Sequence, residues 1–321
     1  MKNCLICLNP ISVTSKFHGY HNECVLTAFG SLDIEPILDF SVDDFYRQAR
    51  KNLTGFCLAG VQAKFGLSVK YQEEKKSLEL SHLNSTYIVK PCPSAYPNLA
   101  SNEHVSQEIM RLLGFNVPLC GVLKFSDGAS AYFIKRYDRL VEGKIHQEDM
   151  LAALDIPNAN ENVKYKCSYE AVALTLKEVG GIALATELIK RVIGAYLIGN
   201  GDYHLKNISV IYPERGVDLS PVYDFVNTHL YGDTDNLCLN LLINEPDVDA
   251  FDDYYCLKRK DFMLLGVHAE ISQETIVSFI DDKIANDQNK IFELIENSEL
   301  DKQQKQKYQA LVRERIKYLT L

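Results

Sequence analysis

Apolar positions along the chain follow two regimes. Between about residues 56 and 139 they come in short runs broken by Gly, Pro and Asn, at 56–58, 65–71, 87–89, 117–125 and 131–137, the pattern of strands separated by turns. One stretch departs from it. Within 102–113 the apolar residues Val105, Ile109, Leu112 and Leu113 share a helical face, and Gly114 supplies a C-terminal cap. After Gly143 the spacing changes to three and four, predicting helices over 169–179, 186–199, 272–285 and 302–318. Inside this helical half, 208–212 and 219–223 read as a hairpin turning through Pro213 to Gly216. The first thirty residues match neither regime and read as a loop-rich cap, with Cys4, Cys7, His18, His21 and Cys24 set among Asn9, Pro10, Gly19 and Gly30. The expected class is therefore α+β: a cysteine-bearing cap over 1–44, a β-rich part over 45–140 and a helical part over 141–321, without internal repeats.

Composition narrows the function classes. The 321 residues, 46% hydrophobic and 24% charged, are those of an ordinary globular chain able to bury a sizeable core. With 34 Lys and Arg against 43 Asp and Glu, the net charge of −9 has the wrong sign for wrapping nucleic acid without sequence preference. The most apolar region, 180–199, is interrupted by Glu187, Lys190 and Arg191, so no run reaches the roughly 18 uncharged apolar residues of a membrane span. The apolar patch at 4–8 stops at Asn9 and Pro10, too short for a secretory signal. Nine cysteines, most of those past residue 30 standing singly among apolar or small neighbours, suit a reducing cytoplasm.

The most informative stretch is LIGNGDYHLKNISVIY, 197–212. A helix stops at Gly199, Asn200 and Gly201, a loop presents Asp202, His204, Lys206 and Asn207, and the hairpin leads to Asp224 in LSPVYDF. Phosphoryl transfer to a hydroxyl needs one carboxylate to take the proton, and an Asn with a second Asp to hold magnesium against the nucleotide phosphates. The Asp-to-Asn interval of five carries little by itself, since it recurs at Asp155/Asn160, Asp235/Asn240 and Asp281/Asn286. Only the 202/207 pair follows a helix stop, precedes a hairpin and has an Asp at the hairpin's far end. The bland reading is a pair of turn residues bonding their own backbone. Lys90, closing the strand-like run YIV before Pro91, is a cation placed to meet phosphates or an ordinary solvated strand end. The segment AGVQAKFG at 59–66 could bring backbone amides to an anion, though it matches neither the P-loop nor the dinucleotide fingerprint.

Seven blocks taken together, AGVQAK at 59–64, YIVKP at 87–91, NEH at 102–104, FIKRYDR at 133–139, HQEDM at 146–150, GNGDYHLKN at 199–207 and SPVYDF at 220–225, resemble the HipA family of bacterial serine/threonine kinase toxins. The resemblance implies a two-lobed protein-kinase-like fold with a β-rich N-lobe and a helical C-lobe, using ATP and Mg2+. It implies Asp202 as catalytic base, Asn207 and Asp224 as magnesium ligands, and Lys90 as the phosphate-binding lysine. Gly60, Val61, Gln62, Ala63 and Lys64 would form the phosphate-binding loop, and Lys135, Arg136 and Tyr137 the adenine hinge. His204 and Lys206 would support the catalytic loop, and Gln147 and Asp149 the nucleotide-site wall. The family's loop serines are replaced by Cys57 and Ala59, which puts its autophosphorylation switch in doubt. The early start of the kinase-like region is similar to HipT, the shortened form of three-component systems. That implies a HipB-like DNA-binding antitoxin and a small HipS-like protein as partners, an aminoacyl-tRNA synthetase as substrate, and no membrane or direct nucleic-acid binding. A nucleotide-binding pseudokinase scaffold and a small-molecule kinase are the competing readings.

Outside these blocks, Cys4 and Cys7 in C-x-x-C spacing and His21 and Cys24 in H-x-x-C spacing suit a Cys3His zinc site, with His18 as a substitute ligand. Buried thiols would suit the same segment. The acidic run 245–253 reads as a solvated loop or a docking face for a basic partner, and the C-terminal helix as an exposed one.

Overall fold

The computed structural model describes residues 2–12, 14–51, 62–72, 75–81, 85–140, 143–244 and 256–321. The strand expected at 56–58, Thr54, Cys57, Ala59, Gly60, Val61 and the acidic run 245–253 lie outside them. The chain divides into two compact units, one made of Met1–Glu108, Val117–Arg139 and Glu293–Lys302, the other of Ile109–Asn116, Leu140–Phe292 and Gln303–Leu321.

The first unit is built on a six-stranded sheet of β1 (Ile37–Leu38), β2 (Phe65–Gln72), β3 (Lys75–Leu80), β4 (Tyr87–Pro91), β5 (Cys120–Phe125) and β6 (Ser130–Lys135), ordered β1-β5-β6-β4-β2-β3. Strand β1 pairs in parallel with β5, and the other named strand pairs of this sheet are antiparallel. Strand β3, KKSLEL, escapes the apolar-run criterion because it is the charged edge strand, and charges on an edge discourage pairing with other chains. Helix α2 (Val42–Lys51) likewise has no apolar run to announce it, being anchored chiefly through Phe45, which is fully buried against Phe65 and Phe125. The cap docks on β5. Its Leu5 carbonyl accepts the Val122 N–H at 2.8 Å, and the Tyr20 hydroxyl donates to the Val122 carbonyl at 2.8 Å. Gly121 permits this approach, since a Cβ there would lie 2.6 Å from the Leu5 carbonyl oxygen. Helix α1 (Asn22–Phe29) completes the cap and ends on Gly30 at φ 73°.

Helix α3 (Leu99–Leu112) begins three residues earlier than its apolar pattern suggested. Every residue from 100 to 107 is buried, including Asn102, Glu103, His104, Ser106 and Gln107. A helix buried on all sides is normally apolar all round; this one is not, and Glu103 of the polar set it buries belongs to the site described below.

The second unit holds a short antiparallel sheet, β9-β8-β7, from β7 (His146–Asp149), β8 (Ser209–Tyr212) and β9 (Asp218–Leu219). Around it stand α4 (Met150–Ala153), the hairpin of α5 (Tyr169–Gly180) and α6 (Ile182–Ile198), then α7 (Arg259–His268) and α8 (Gln273–Phe279), which runs on as a π-helical segment over Ile280–Ala285. The second hairpin strand expected over 219–223 is corrected: pairing ends at Leu219, and the chain leaves the sheet to present Asp224 from irregular backbone. The C-terminal helix, α10 after α9 (Gln288–Asn297), spans Lys302–Thr320 and is not the exposed element its Gln and Lys content suggested. Tyr308, Val312, Ile316 and Leu319 are buried along one stripe, and the buried Arg315 donates to the Tyr196 carbonyl. Among the described residues no helix is long and apolar enough to cross a membrane.

Candidate active site

In the sheet-rich unit, Lys90 is not a solvated strand end. Strand β4 continues through it, Lys90 lying opposite Tyr132 and Pro91 opposite Ala131. Pro91 sits beyond the last pairing with β2, at Val89, where its missing N–H costs no ladder bond. The Lys90 ammonium lies 2.6 Å from the Glu103 carboxylate on α3, with both side chains more than nine-tenths buried, and 5.5 Å from the centre of the Tyr132 ring. A buried ion pair is an uneconomical way to stabilise a fold. A strand lysine paired with a helix glutamate is, however, what protein kinases require to hold nucleotide phosphates. Glu103 stood in the NEH block without a role; its signal was an acid at the centre of a helix whose every side is buried, which one-face periodicity does not reveal.

Of the expected phosphate-binding loop, Gln62, Ala63 and Lys64 are described, and the Gln62 amide donates to the Pro91 carbonyl at 2.9 Å, tethering the loop's end beside Lys90. Gly60 and Val61 lie outside the described residues. At the expected hinge, Lys135 is exposed and Tyr137 half-buried, while Arg136 forks onto Asp138 at 2.9 and 2.6 Å. Burial pushes the Asp138 carboxyl up, but Arg136 and then Arg139 outweigh it and leave it below the usual range. Cys4, Cys7, His21 and Cys24 converge in the cap, while His18 turns away to Lys2 at 3.1 Å.

In the helical unit, the apolar helix α6 delivers the catalytic-loop candidates. It ends on Gly199 at φ 75°, where a Cβ would strike the Leu311 side chain at 2.5 Å. The loop that follows is held by its own polar groups. The Gly201 N–H donates to the Thr228 hydroxyl at 2.9 Å, and the Asp202 N–H to the Asn200 side chain at 3.1 Å. The Asn207 amide nitrogen donates to the Asp202 main-chain carbonyl at 2.8 Å. Asn207 thus staples the loop through Nδ2, which leaves Oδ1 as the atom that could hold a cation. Tyr203 anchors the loop from beneath, its buried ring between Tyr169 and Phe225 at 6.1 and 4.7 Å. Phe225 follows Asp224, so one aromatic stack fixes both acid-bearing segments within this unit. Asp224 itself takes φ 56°, a left-handed conformation a non-glycine residue adopts at some strain.

The Asp202 carboxylate is partly exposed. Its Oδ1 accepts the Tyr165 hydroxyl at 3.0 Å and lies 3.5 Å from Nε2 of the buried His204. Burial holds the His204 imidazole below its ordinary 6.5 despite the opposing pull of Asp202, with Lys164 adding to the lowering, so the ring is neutral at pH 7. Burial and the Asp202 charge keep the Tyr165 phenol protonated. Tyr165 therefore orients Asp202 without competing for its proton. No motif marked it: it lies in a short 3-10 turn, Glu161–Tyr165, far from the loop in sequence. Lys206 reaches Asn158 at 3.3 Å, Gln147 donates to Ser209 at 3.0 Å, and Asp149 caps α4 by accepting the Ala152 N–H at 2.9 Å.

A profile of the HipA-like C-terminal domain matches residues 56–289. The chain belongs to this family. A relative from Haemophilus influenzae named a putative kinase is 30% identical over 319 residues, covering 93% of this chain and 92% of its own. The serine/threonine-protein kinase toxin HipA of Shewanella oneidensis is 24% identical, covering 69% of this chain and 54% of its own. Among solved structures, the Shewanella HipA–HipB–operator DNA complex superposes with a TM-score of 0.66 at 20% identity, over 88% of this chain and 72% of that one. The Helicobacter pylori proinflammatory kinase CtkA gives a TM-score of 0.53 at 15% identity, over 88% and 93%. The fold of this HipA-like chain, a sheet-rich unit and a helical unit, is thus that of HipA and CtkA.

Proposed function

We propose that this HipA-like chain is a protein kinase that transfers the γ-phosphoryl group of ATP to a serine or threonine. The observation that carries the reading is the buried Lys90–Glu103 pair, because it joins two residues whose burial has no structural economy and which kinase chemistry requires together. In the helical unit, Asp202 accepts the proton of the substrate hydroxyl, oriented by Tyr165, while the neutral His204 holds up the loop. Lys90 neutralises phosphate charge, and Glu103 keeps its ammonium in place. Asn207 Oδ1 and the Asp224 carboxylate are hard oxygen donors that suit Mg2+. The metal, when bound, neutralises charge on the phosphate oxygens.

Family resemblance supports the finer parts of the proposal: action as the toxin of a bacterial toxin–antitoxin system in the cytoplasm, the HipT-like form, an aminoacyl-tRNA synthetase as substrate, and HipB-like and HipS-like partners. The Shewanella HipA solved with HipB and operator DNA supports the HipB-like partner. The test incubates the chain and its Asp202→Asn variant with γ-labelled ATP, magnesium and a bacterial lysate. Labelled protein that falls about 10²–10⁴-fold in the variant, the usual worth of a general base, is the expected outcome. Equal labelling by the variant removes Asp202 from its role, and no labelling by either, with ATP bound, favours a scaffold or a small-molecule kinase.

A further inference from the structure

The cap carries a cluster that phosphoryl transfer does not use. The Sγ atoms of Cys4, Cys7 and Cys24 and a ring nitrogen of His21 all lie within 4.8 Å of one another. Nδ1 of His21 stands 3.3 Å from Cys7 Sγ and 3.8 Å from Cys24 Sγ. A tetrahedral zinc with sulfurs at about 2.3 Å and a nitrogen at about 2.05 Å requires sulfur–nitrogen edges of about 3.6 Å and sulfur–sulfur edges of about 3.8 Å. The two sulfur–nitrogen edges, 3.3 and 3.8 Å, bracket the first value, and the 4.8 Å bound on the whole set admits the second.

Buried thiols alone do not account for the arrangement. One Nδ1 lone pair faces two sulfurs, and it can accept from only one S–H. A disulfide would use two of the three cysteines and leave a thiol and an imidazole converging on nothing. The other ring nitrogen of His21, Nε2, lies 3.0 Å from the Pro10 carbonyl and donates to it. That is the outer-shell bond by which a metal-binding histidine fixes its tautomer and leaves the opposite nitrogen unprotonated.

We infer that Cys4, Cys7, His21 and Cys24 bind one structural Zn2+. Three soft thiolates and an imidazole complete its tetrahedron and leave no open position for catalysis. The metal joins the turn at 4–8, with Leu8 in the left-handed region at φ 59°, to the start of α1. The same turn offers the Ile6 carbonyl to Nε2 of buried His104 at 2.8 Å, beside Glu103 on α3. The zinc therefore holds the loop against which the glutamate-bearing helix rests.

Elemental analysis of the full chain, purified without chelator, should give one zinc per chain. Cys7→Ser and Cys24→Ser should fall below a tenth of that, while His18→Ala and Cys167→Ser keep it. Should the serine variants fail to fold, the wild-type chain exchanged with Co2+ supplies the second reading, through thiolate-to-cobalt charge-transfer and tetrahedral ligand-field absorption. Zinc at less than a tenth of stoichiometry, iron in its place, equal loss in His18→Ala, or cobalt without those bands would overturn the inference. None of these readouts depends on kinase activity.

Discussion

Replacing Glu103 by Gln keeps its volume and removes its charge, so the buried Lys90 ammonium loses the carboxylate it pairs with. The pair is 2.6 Å long, with 7% and 4% of the two side chains exposed, so water replaces almost none of the interaction that is lost. Breaking one side of so buried a pair costs about 3–5 kcal/mol, against a total of about 5–15 kcal/mol for a folded protein. With a urea dependence of about 2 kcal/mol per molar, the sheet-rich unit's unfolding midpoint should fall by about 1.5–2.5 M. Lys90→Met should fall comparably, because it strands the carboxylate instead. The double variant Lys90→Met/Glu103→Leu, which buries neither charge, should recover most of the loss and lack phosphotransfer. Urea titration followed by tyrosine fluorescence and by far-UV circular dichroism measures all three. A Glu103→Gln midpoint within 0.3 M (about 0.6 kcal/mol) of wild type, or a double variant that merely sums the single losses, would refute a coupled buried pair.

Three further outcomes follow from the helical unit. Asp224→Asn should weaken magnesium-dependent ATP binding by about tenfold or more with the fold intact, and an unchanged calorimetric titration would remove Asp224 from the metal site. Tyr165→Phe deletes the 3.0 Å bond to Asp202; a net hydrogen bond of about 0.5–1.5 kcal/mol corresponds to a kcat lowered roughly two- to twelvefold with KM for ATP unmoved, and a KM effect instead would count against a role on Asp202. Burial lowers the His204 and His229 imidazoles below their ordinary 6.5, the charge of Arg315 adding to the effect at His229. The unfolded chain therefore binds more protons than the folded one below that value. Stability should be complete above about pH 6.5 and decline as pH falls toward the folded values, and His204→Asn should flatten that decline in denaturation midpoints measured from pH 7.5 to 5.

Much of the site is legible in the amino-acid order alone, for reasons that differ by residue. Asp202 and Asn207 stand out because a buried helix must end somewhere, and Gly199 to Gly201 mark where; the acids and amides after such a stop are the ones left to reach solvent. Lys90 is visible as a strand-end cation, but not as a buried one. Glu103 and Tyr165 are not visible as functional residues, because an ion pair spanning strand and helix, or a phenol reaching a loop 37 positions away, leaves no periodicity. The C-terminal helix misleads in the opposite sense: its polar surface dominates its composition, while its buried face is set by a stripe that includes Tyr308, Val312, Ile316 and Leu319.

The sequence by itself determined the α+β class, the helix stop that bears the catalytic-loop candidates and the two cysteine-bearing pairs of the cap, since each depends on neighbours within a turn or two. Tertiary structure alone decided that Lys90 is paired rather than solvated and that His21 rather than His18 meets the three thiols. It also decided that one aromatic stack, Tyr169–Tyr203–Phe225, fixes both acid-bearing segments. These are contacts between residues distant along the chain. Their energies come from removing charged and polar groups from water, and the surroundings that do so exist only once the chain has closed around them.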